Sequence, residues 1–349
     1  MAYSLENRLV IGVSSRALFD LTVENEIFES QGVEAYCSYQ IEHEGEMLTP
    51  GPGFRLIRAL LKLNELPEHE GCVEVIVMSH NSPDTSLRVF HAIEHYGLGI
   101  TRAVLASGAP LSPYLEAFRT DLFLSADEKD VQSAIDHGIA AGIICCDGLQ
   151  TYNEKNEIKQ IRIAFDGDAV LFSDDSERIF QKYGLEAFEE NERANADHPM
   201  QAGPFAKFLK TISDLQKDFP VSGSPIRTAL VTSRSAPAHE RVIRTLRAWQ
   251  VRIDEAFFLG GITKREVLKA FGAHIFFDDQ AVHTGPASEV VPAARVPYKH
   301  RGIEDAEDME SIKDVEDIKD IEGIKDIENI KGIENKDTKN TSVLISQNG

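Results

Sequence analysis

The 349-residue chain has a net charge of −21 and is 42% hydrophobic, so it can bury a substantial core and has the length of about two domains. Such acidity excludes a nucleic acid polymer or an anionic membrane as a natural partner, and no run of about 18 apolar residues is present to cross a bilayer. The start "MAYSLENRLVIGVSS" lacks the basic region and long apolar run of a signal peptide, and Cys37, Cys72, Cys145 and Cys146 form neither a CxxC pair nor a zinc spacing, so idle thiols in a cytoplasmic protein are expected.

In chain order, strands are predicted at "RLVIGVSS", "CVEVIVMSH", "RAVLASG", "TDLFLSA", "IRIAFDGD", "RTALVTSR", "EAFFLGG" and "AHIFFDDQ". Helices are predicted at "FRLIRALLKLNEL", "SLRVFHAIEHYG", "ERVIRTLRAWQ" and "KREVLKAFG". The alternation points to an α/β fold with parallel sheets. Several strands are apolar throughout, as expected when helices cover both faces. From residue 301 onward the chain holds fourteen acidic and seven basic residues, with Ile or Val at every third position from Ile312 to Ile333. A step of three spirals around a helix and makes no stripe, so this acidic, low-complexity segment is expected to be a disordered tail.

The two halves resemble each other. The segment beginning "IVMSHNSPDTSLRVFH" aligns without a gap on "ALVTSRSAPAHERVIR" at a constant offset of 153 for about 50 positions, and "VIGVSSRAL" falls on "RIAFDGDAV" at an offset of 152. The register predicts two related Rossmann-like lobes.

Ligands of open α/β sheets bind beyond the carboxyl ends of the strands, and the second half ends its strands in polar groups. "IAFDGD" supplies Asp166 and Asp168, "ALVTSR" supplies Thr232, and "HIFFDDQ" supplies Asp278 and Asp279. The Gly-rich "FLGGITK" brings Lys264 to a helix start, where backbone N–H groups and the helix end favour an anion. A carboxylate can attack phosphorus and split a phosphoryl transfer into two steps. Clustered carboxylates repel each other unless a hard cation lies among them. A lysine and a hydroxyl suit the transferring phosphoryl oxygens, and a second aspartate two residues on suits proton transfer. Arg162, Arg234 and the histidines are left without a role.

The four signals "AFDGDAVLFSDDSERI", "LVTSRSA", "FLGGITK" and "HIFFDDQAVH", in this order, resemble those of the haloacid dehalogenase superfamily. With "VSSRALF" and "QGVEAYCSYQIEHEGEMLTPGPGF" they look like the cytosolic 5'-nucleotidase I family over roughly residues 8 to 300. The resemblance implies Mg2+-dependent hydrolysis of nucleoside 5'-monophosphates, AMP prominently, through an aspartyl-phosphate. Asp166 would be nucleophile and metal ligand, and Asp168 general acid/base with its backbone carbonyl on the metal. Thr232 and Ser233 would bind the substrate phosphate, Lys264 would offset its charge, and Asp278 and Asp279 would complete the metal site. Ala169-Val170 departs from the superfamily's usual Gly-Thr, without threat to catalysis.

The expected organisation is a non-catalytic Rossmann-like lobe over 1–150, a catalytic lobe over 158–300 with a small helical cap at about 176–225, and the tail over 301–349. In the first lobe Ser14, Ser79, Leu111 and Ser125 stand where Asp166, Thr232, Lys264 and Asp278 stand in the second, so it is expected not to catalyse. Arg16 and Asn81 leave it able to hold an anion, and ADP or ATP is the effector that the family's behaviour implies. A homo-oligomer is expected. The alternatives are a phosphatase for another small ester on the same machinery and a catalytically silent nucleotide-sensing protein.

Overall fold

The computed structural model describes residues 4–145 and 158–297; the acidic tail 301–349 and Cys146 lie outside them. Ten strands form one sheet: β1 (Leu9–Val13), β2 (Val73–Ser79), β3 (Arg102–Leu105), β4 (Leu122–Ser125), β5 (Ala140–Ile144), β6 (Ile161–Phe165), β7 (Ile226–Thr232), β8 (Glu255–Phe258), β9 (Ile275–Asp278) and β10 (Ala293–Arg295). Their order is β3-β2-β1-β4-β5-β10-β9-β6-β7-β8. Each neighbouring pair is parallel except β5 and β10, which run antiparallel.

The eight strands predicted from the sequence are all present, with helices between them. Two differ from expectation: β5 and β10, "AAGII" and "AAR", are short and rich in Ala and Gly, and carry little strand signal. They form the seam of the molecule, so the halves share one continuous mixed sheet in place of separate parallel ones. Close approach explains the composition. A Cβ at Gly142 of β5 would lie 2.9 Å from the Cβ of Ala294 on β10, so only glycine fits there.

The repeat is visible in the ladders. Ile76↔Arg102 in the β2–β3 pair recurs as Ala229↔Glu255 in β7–β8, each partner 153 residues on. Ile11↔Leu122 recurs as Ile163↔Ile275, with offsets of 152 and 153. A helical hairpin repeats as well. Helices Thr22–Gln31 and Val33–Glu42 meet at Gly32 (φ 85, ψ −178), and the helical segment Asp175–Ala194 breaks at Gly184 (φ 86, ψ −176), 152 positions later.

Alternate residues of the central strands face opposite layers. Leu9, Ile11 and Val13 of β1 and Ile161, Ile163 and Phe165 of β6 join one cluster that runs across both halves. On the other face each half keeps its own cluster, around Phe123 and around Phe276. Helix Ala206–Gln216 belongs to the shared layer: Phe208, Leu209 and Ile212 are buried, and Phe208 joins Phe165, Phe205 and Phe277 in a ring cluster whose closest pair, Phe205–Phe277, is 4.6 Å apart. Of the insertion 176–225, it is the hairpin 175–194 that presents Phe180, Tyr183 and Leu185 to solvent. Among the described residues no helix is long and apolar enough to cross a membrane.

His274 ties β9 to β6. Its Nδ1 accepts the backbone N–H of Arg162 at 2.9 Å, and burial, with Arg55 and Arg162 nearby, lowers its pKa from 6.5 to about 4. The unfolded chain therefore binds the proton first. This stability is present above pH 6.5 and lost as pH falls towards 4. His274→Asn keeps an acceptor that does not titrate. Urea unfolding at pH 7 and pH 5 should show about 2 kcal/mol less acid loss in the variant than in the wild type; equal losses would contradict the assignment.

Candidate active site

From β6 the chain moves outward to β7 and β8, then returns to β9 on the opposite side of β6. At this reversal the carboxyl ends of β6, β7 and β9 come together, the usual ligand position in such sheets. Asp166 follows β6 directly and extends the ladder, its backbone N–H donating to the Phe277 carbonyl at 2.8 Å. The chain then turns sharply through Gly167–Leu171, with Ala169 in the left-handed region (φ 59). Asp278 closes β9, and Thr232 closes β7.

Lys264, the first residue of helix Lys264–Phe271, reaches these strand ends and is buried. Its Nζ lies 2.7 Å from Asp166 Oδ1 and 2.6 Å from Asp278 Oδ2. The other oxygen of Asp278 accepts the Gln280 N–H at 2.9 Å. Burial raises the pKa of Asp166 to about 7, with Lys264 opposing the rise and Asp278 adding to it. Burial, then Asp166 and Asp278, raises Asp279 to about 8. Burial works against the Lys264 ammonium, but the two carboxylates more than offset this and raise its pKa.

Asp166, Asp278 and Asp279 each offer an oxygen, all within 4.8 Å of one another. Three crowded carboxylates facing one ammonium leave an excess of negative charge. An all-oxygen donor set of that kind fits a hard divalent cation.

The fold and this site together explain what the chain resembles. The sequence profile of the family described as 5'-nucleotidase matches residues 1–302. The chain belongs to the 5'-nucleotidase family. It is 39% identical over 288 residues to human cytosolic 5'-nucleotidase 1B, covering 80% of this chain and 47% of that protein. The chain thus spans about half the length of this curated relative, and the likeness bears out the resemblance to the cytosolic 5'-nucleotidase I family.

The family's expected residues are arranged in two groups. Asp166, Lys264, Asp278 and Asp279 form the cluster, and Thr232 stands beside it, its Oγ1 accepting the Arg234 N–H at 3.2 Å. Ser233 points outward and is exposed. The Asp168 carboxylate is drawn to Arg234: Nε donates to Oδ2 at 2.8 Å and Nη2 to Oδ1 at 2.6 Å. Arg234 Nη1 also donates to Glu192 Oε2 at 2.5 Å, and its guanidinium stacks 5.2 Å from the Phe188 ring. Glu192 Oε1 receives Arg241 Nη1 at 2.9 Å and Ser176 Oγ at 2.8 Å.

This buried network, Asp168–Arg234–Glu192–Arg241, joins the hairpin to the strand ends, and the sequence reading missed it. Arg234 carried a signal, since it lies two residues past Thr232 at a strand end. Glu192 carried none, because one glutamate in an acidic helix looks like surface. Arg234 and Glu192 are almost wholly buried, so removing one charge strands the other. Glu192→Gln should cost about 3 kcal/mol of stability, read from urea unfolding beside the exposed control Glu189→Gln. A loss no greater than the control's would show that the network does not hold the hairpin.

Proposed function

We propose that the protein hydrolyses nucleoside 5'-monophosphates to nucleoside and phosphate, with Asp166 as nucleophile and Mg2+ as cofactor. The supporting observation is the Lys264 ammonium held between Asp166 and Asp278 at the strand reversal, in a chain of the 5'-nucleotidase family. Human cytosolic 5'-nucleotidase 1B carries the same activity in its name.

In this reading Asp166 attacks the phosphorus, the ester oxygen departs, and the phosphoryl group is carried on the Asp166 carboxylate until water releases it. Lys264 holds Asp166 in its attacking position and faces the equatorial oxygens, where it offsets charge that grows as the bond to the leaving group breaks. Thr232 Oγ1, at the same strand ends, is the hydroxyl donor to the phosphoryl group. Ser233, exposed at the rim, serves substrate entry. Asp168 protonates the leaving oxygen and later takes the proton of the attacking water. Its bidentate bond to Arg234 fixes the carboxylate between turnovers, and one of those bonds must loosen for the proton to move.

Asp166, Asp278 and Asp279, with the Asp168 backbone carbonyl, would hold Mg2+, which supplies a positive charge for the phosphoryl oxygens. The hairpin 175–194 excludes water from the site. Its exposed Phe180, packed edge-on against Phe188 at 6.3 Å between ring centroids, gives a planar base an apolar face. That feature favours a nucleotide over a sugar phosphate.

Phosphate release from purine and pyrimidine monophosphates and from sugar phosphates tests the reading. Nucleoside monophosphates should turn over with millimolar Mg2+ and stop in EDTA. Asp166→Asn should lose at least about 10^3-fold in kcat with substrate binding retained. Full turnover in chelator, or more than a tenth of the rate in the folded variant, would refute it.

A further inference from the structure

The first half carries a cavity of about 590 Å3 at the carboxyl ends of β1, β2 and β4, in the position that the candidate active site occupies in the second half. Its walls repeat those of that site in detail. Asn81 N–H donates to Ser79 Oγ at 3.1 Å as Arg234 N–H donates to Thr232 Oγ1 at 3.2 Å. Asp127 N–H donates to Ser125 Oγ at 3.1 Å as Gln280 N–H donates to Asp278 Oδ1 at 2.9 Å. Above them the hairpin of helices 22–31 and 33–42 carries Phe28 and Tyr36, edge-on at 5.9 Å, where the other hairpin carries Phe180 and Phe188 at 6.3 Å. Backbone, turns and aromatic roof are kept.

The chemistry is not kept. The four carboxylates Asp166, Asp168, Asp278 and Asp279 are replaced by Ser14, Arg16, Ser125 and Ala126, and Lys264 by Leu111. At these five positions no carboxylate remains to hold a cation, attack phosphorus or donate a proton. A positive charge now stands at the Asp168 position, and opposite it Asn81 replaces Arg234. Arg16 has no ion-pair partner among the described residues. Asn81 accepts the Tyr36 hydroxyl at 2.9 Å through Oδ1, while its buried Nδ2 has no acceptor among the described residues. The acids around the cavity are already engaged: Glu24 by Arg88 at 2.6 Å, Asp130 by His80 at 2.8 Å, and Asp127 as the cap of helix Glu128–Asp136. A buried donor without an acceptor costs stability, and two unmatched donors in one cavity call for an oxyanion. Phe28 and Val33 are 49% and 60% exposed on the hairpin, an apolar wall of the size a planar ring covers.

We infer that the first half is a second binding site, for a small organic oxyanion carried on a planar ring, held by Arg16 and Asn81 and left chemically unchanged. The ligand class follows from the lining of this cavity, so it does not depend on the reaction proposed for the other half. Organic phosphates and nucleotides both meet the description, and the probes below separate them.

Cys37 lines the cavity and Cys72 does not, which supplies a local readout with an internal control. Alkylation rates at both thiols would be followed by peptide mass spectrometry with phenylphosphonate, a nucleoside 5'-phosphonate, inorganic phosphate and a neutral nucleoside. The carbon–phosphorus bond keeps the first two from being consumed. At about ten times Kd, the ring-bearing phosphonates should slow Cys37 alkylation by about tenfold and leave Cys72 unchanged. Phosphate alone should protect only at much higher concentration, and the neutral nucleoside should not protect. A nucleoside phosphonate much stronger than phenylphosphonate identifies a nucleotide, and equal strength identifies an organic phosphate in general. Arg16→Gln and Asn81→Asp, the latter keeping the Tyr36 contact, should each abolish protection with Cys72 reactivity intact. The inference is overturned if no phosphonate protects Cys37, if protection survives in both variants, or if phosphate or nucleoside alone protects as well as the ring-bearing anions.

Discussion

One ammonium holds the carboxylate cluster of the second half in order. Lys264 Nζ sits within 2.7 Å of two carboxylates that belong to different strands, Asp166 after β6 and Asp278 at the end of β9. Burial alone pushes these carboxyls towards neutrality. The buried cation opposes that push, and so favours the charged carboxylates in a place where water is scarce. The strand reversal makes this possible, because there two neighbouring parallel strands release their chains in opposite directions and leave room for a lysine from a third loop.

The same frame was used twice and carries two different sets of side chains at its strand ends. Ladders, turns and hairpins agree between the halves to within one residue of a fixed offset, while the charged side chains at the strand ends differ. Catalysis in the proposed reaction needs a cluster of like charges, and that is costly for a fold to hold. The second half meets the cost with Lys264 and with the Arg234 network that ties the hairpin down. In the first half the corresponding positions hold serines and a leucine, and the strand ends need no such support. The counterpart network there, Arg88 bridging Glu24 and Gln40, anchors its hairpin and leaves Arg16 without an ion-pair partner among the described residues.

Much of this was legible in the sequence for a physical reason. Parallel strands inside the sheet are buried on both faces, so several of them read as apolar runs, and a carboxylate or hydroxyl at the end of such a run stands out. Gapless repeats preserve loop lengths, so the offset of 153 matches β2, β3 and β4 to β7, β8 and β9. The misses share a cause as well. β5 and β10 are defined by how closely two backbones approach at the seam, and Gly142 and Ala294 report that approach only once the partner is known. The hairpin at 22–42 lacks a strong apolar stripe. Glu192 acquires its role from Arg234, 42 residues away in the chain, and no local pattern encodes such a pairing.

The central claim is that Asp166 carries the phosphoryl group, and trapping that state tests it most directly. Asp168→Asn protein, mixed with a nucleoside monophosphate and Mg2+ and quenched in acid, should hold up to one covalent phosphoryl group per chain. Borohydride reduction should place the modified residue at 166, and the label should be missing when Asp166 is also replaced by Asn. Product formation without any covalent phosphate, or a phosphate mapped to another residue, would contradict the account.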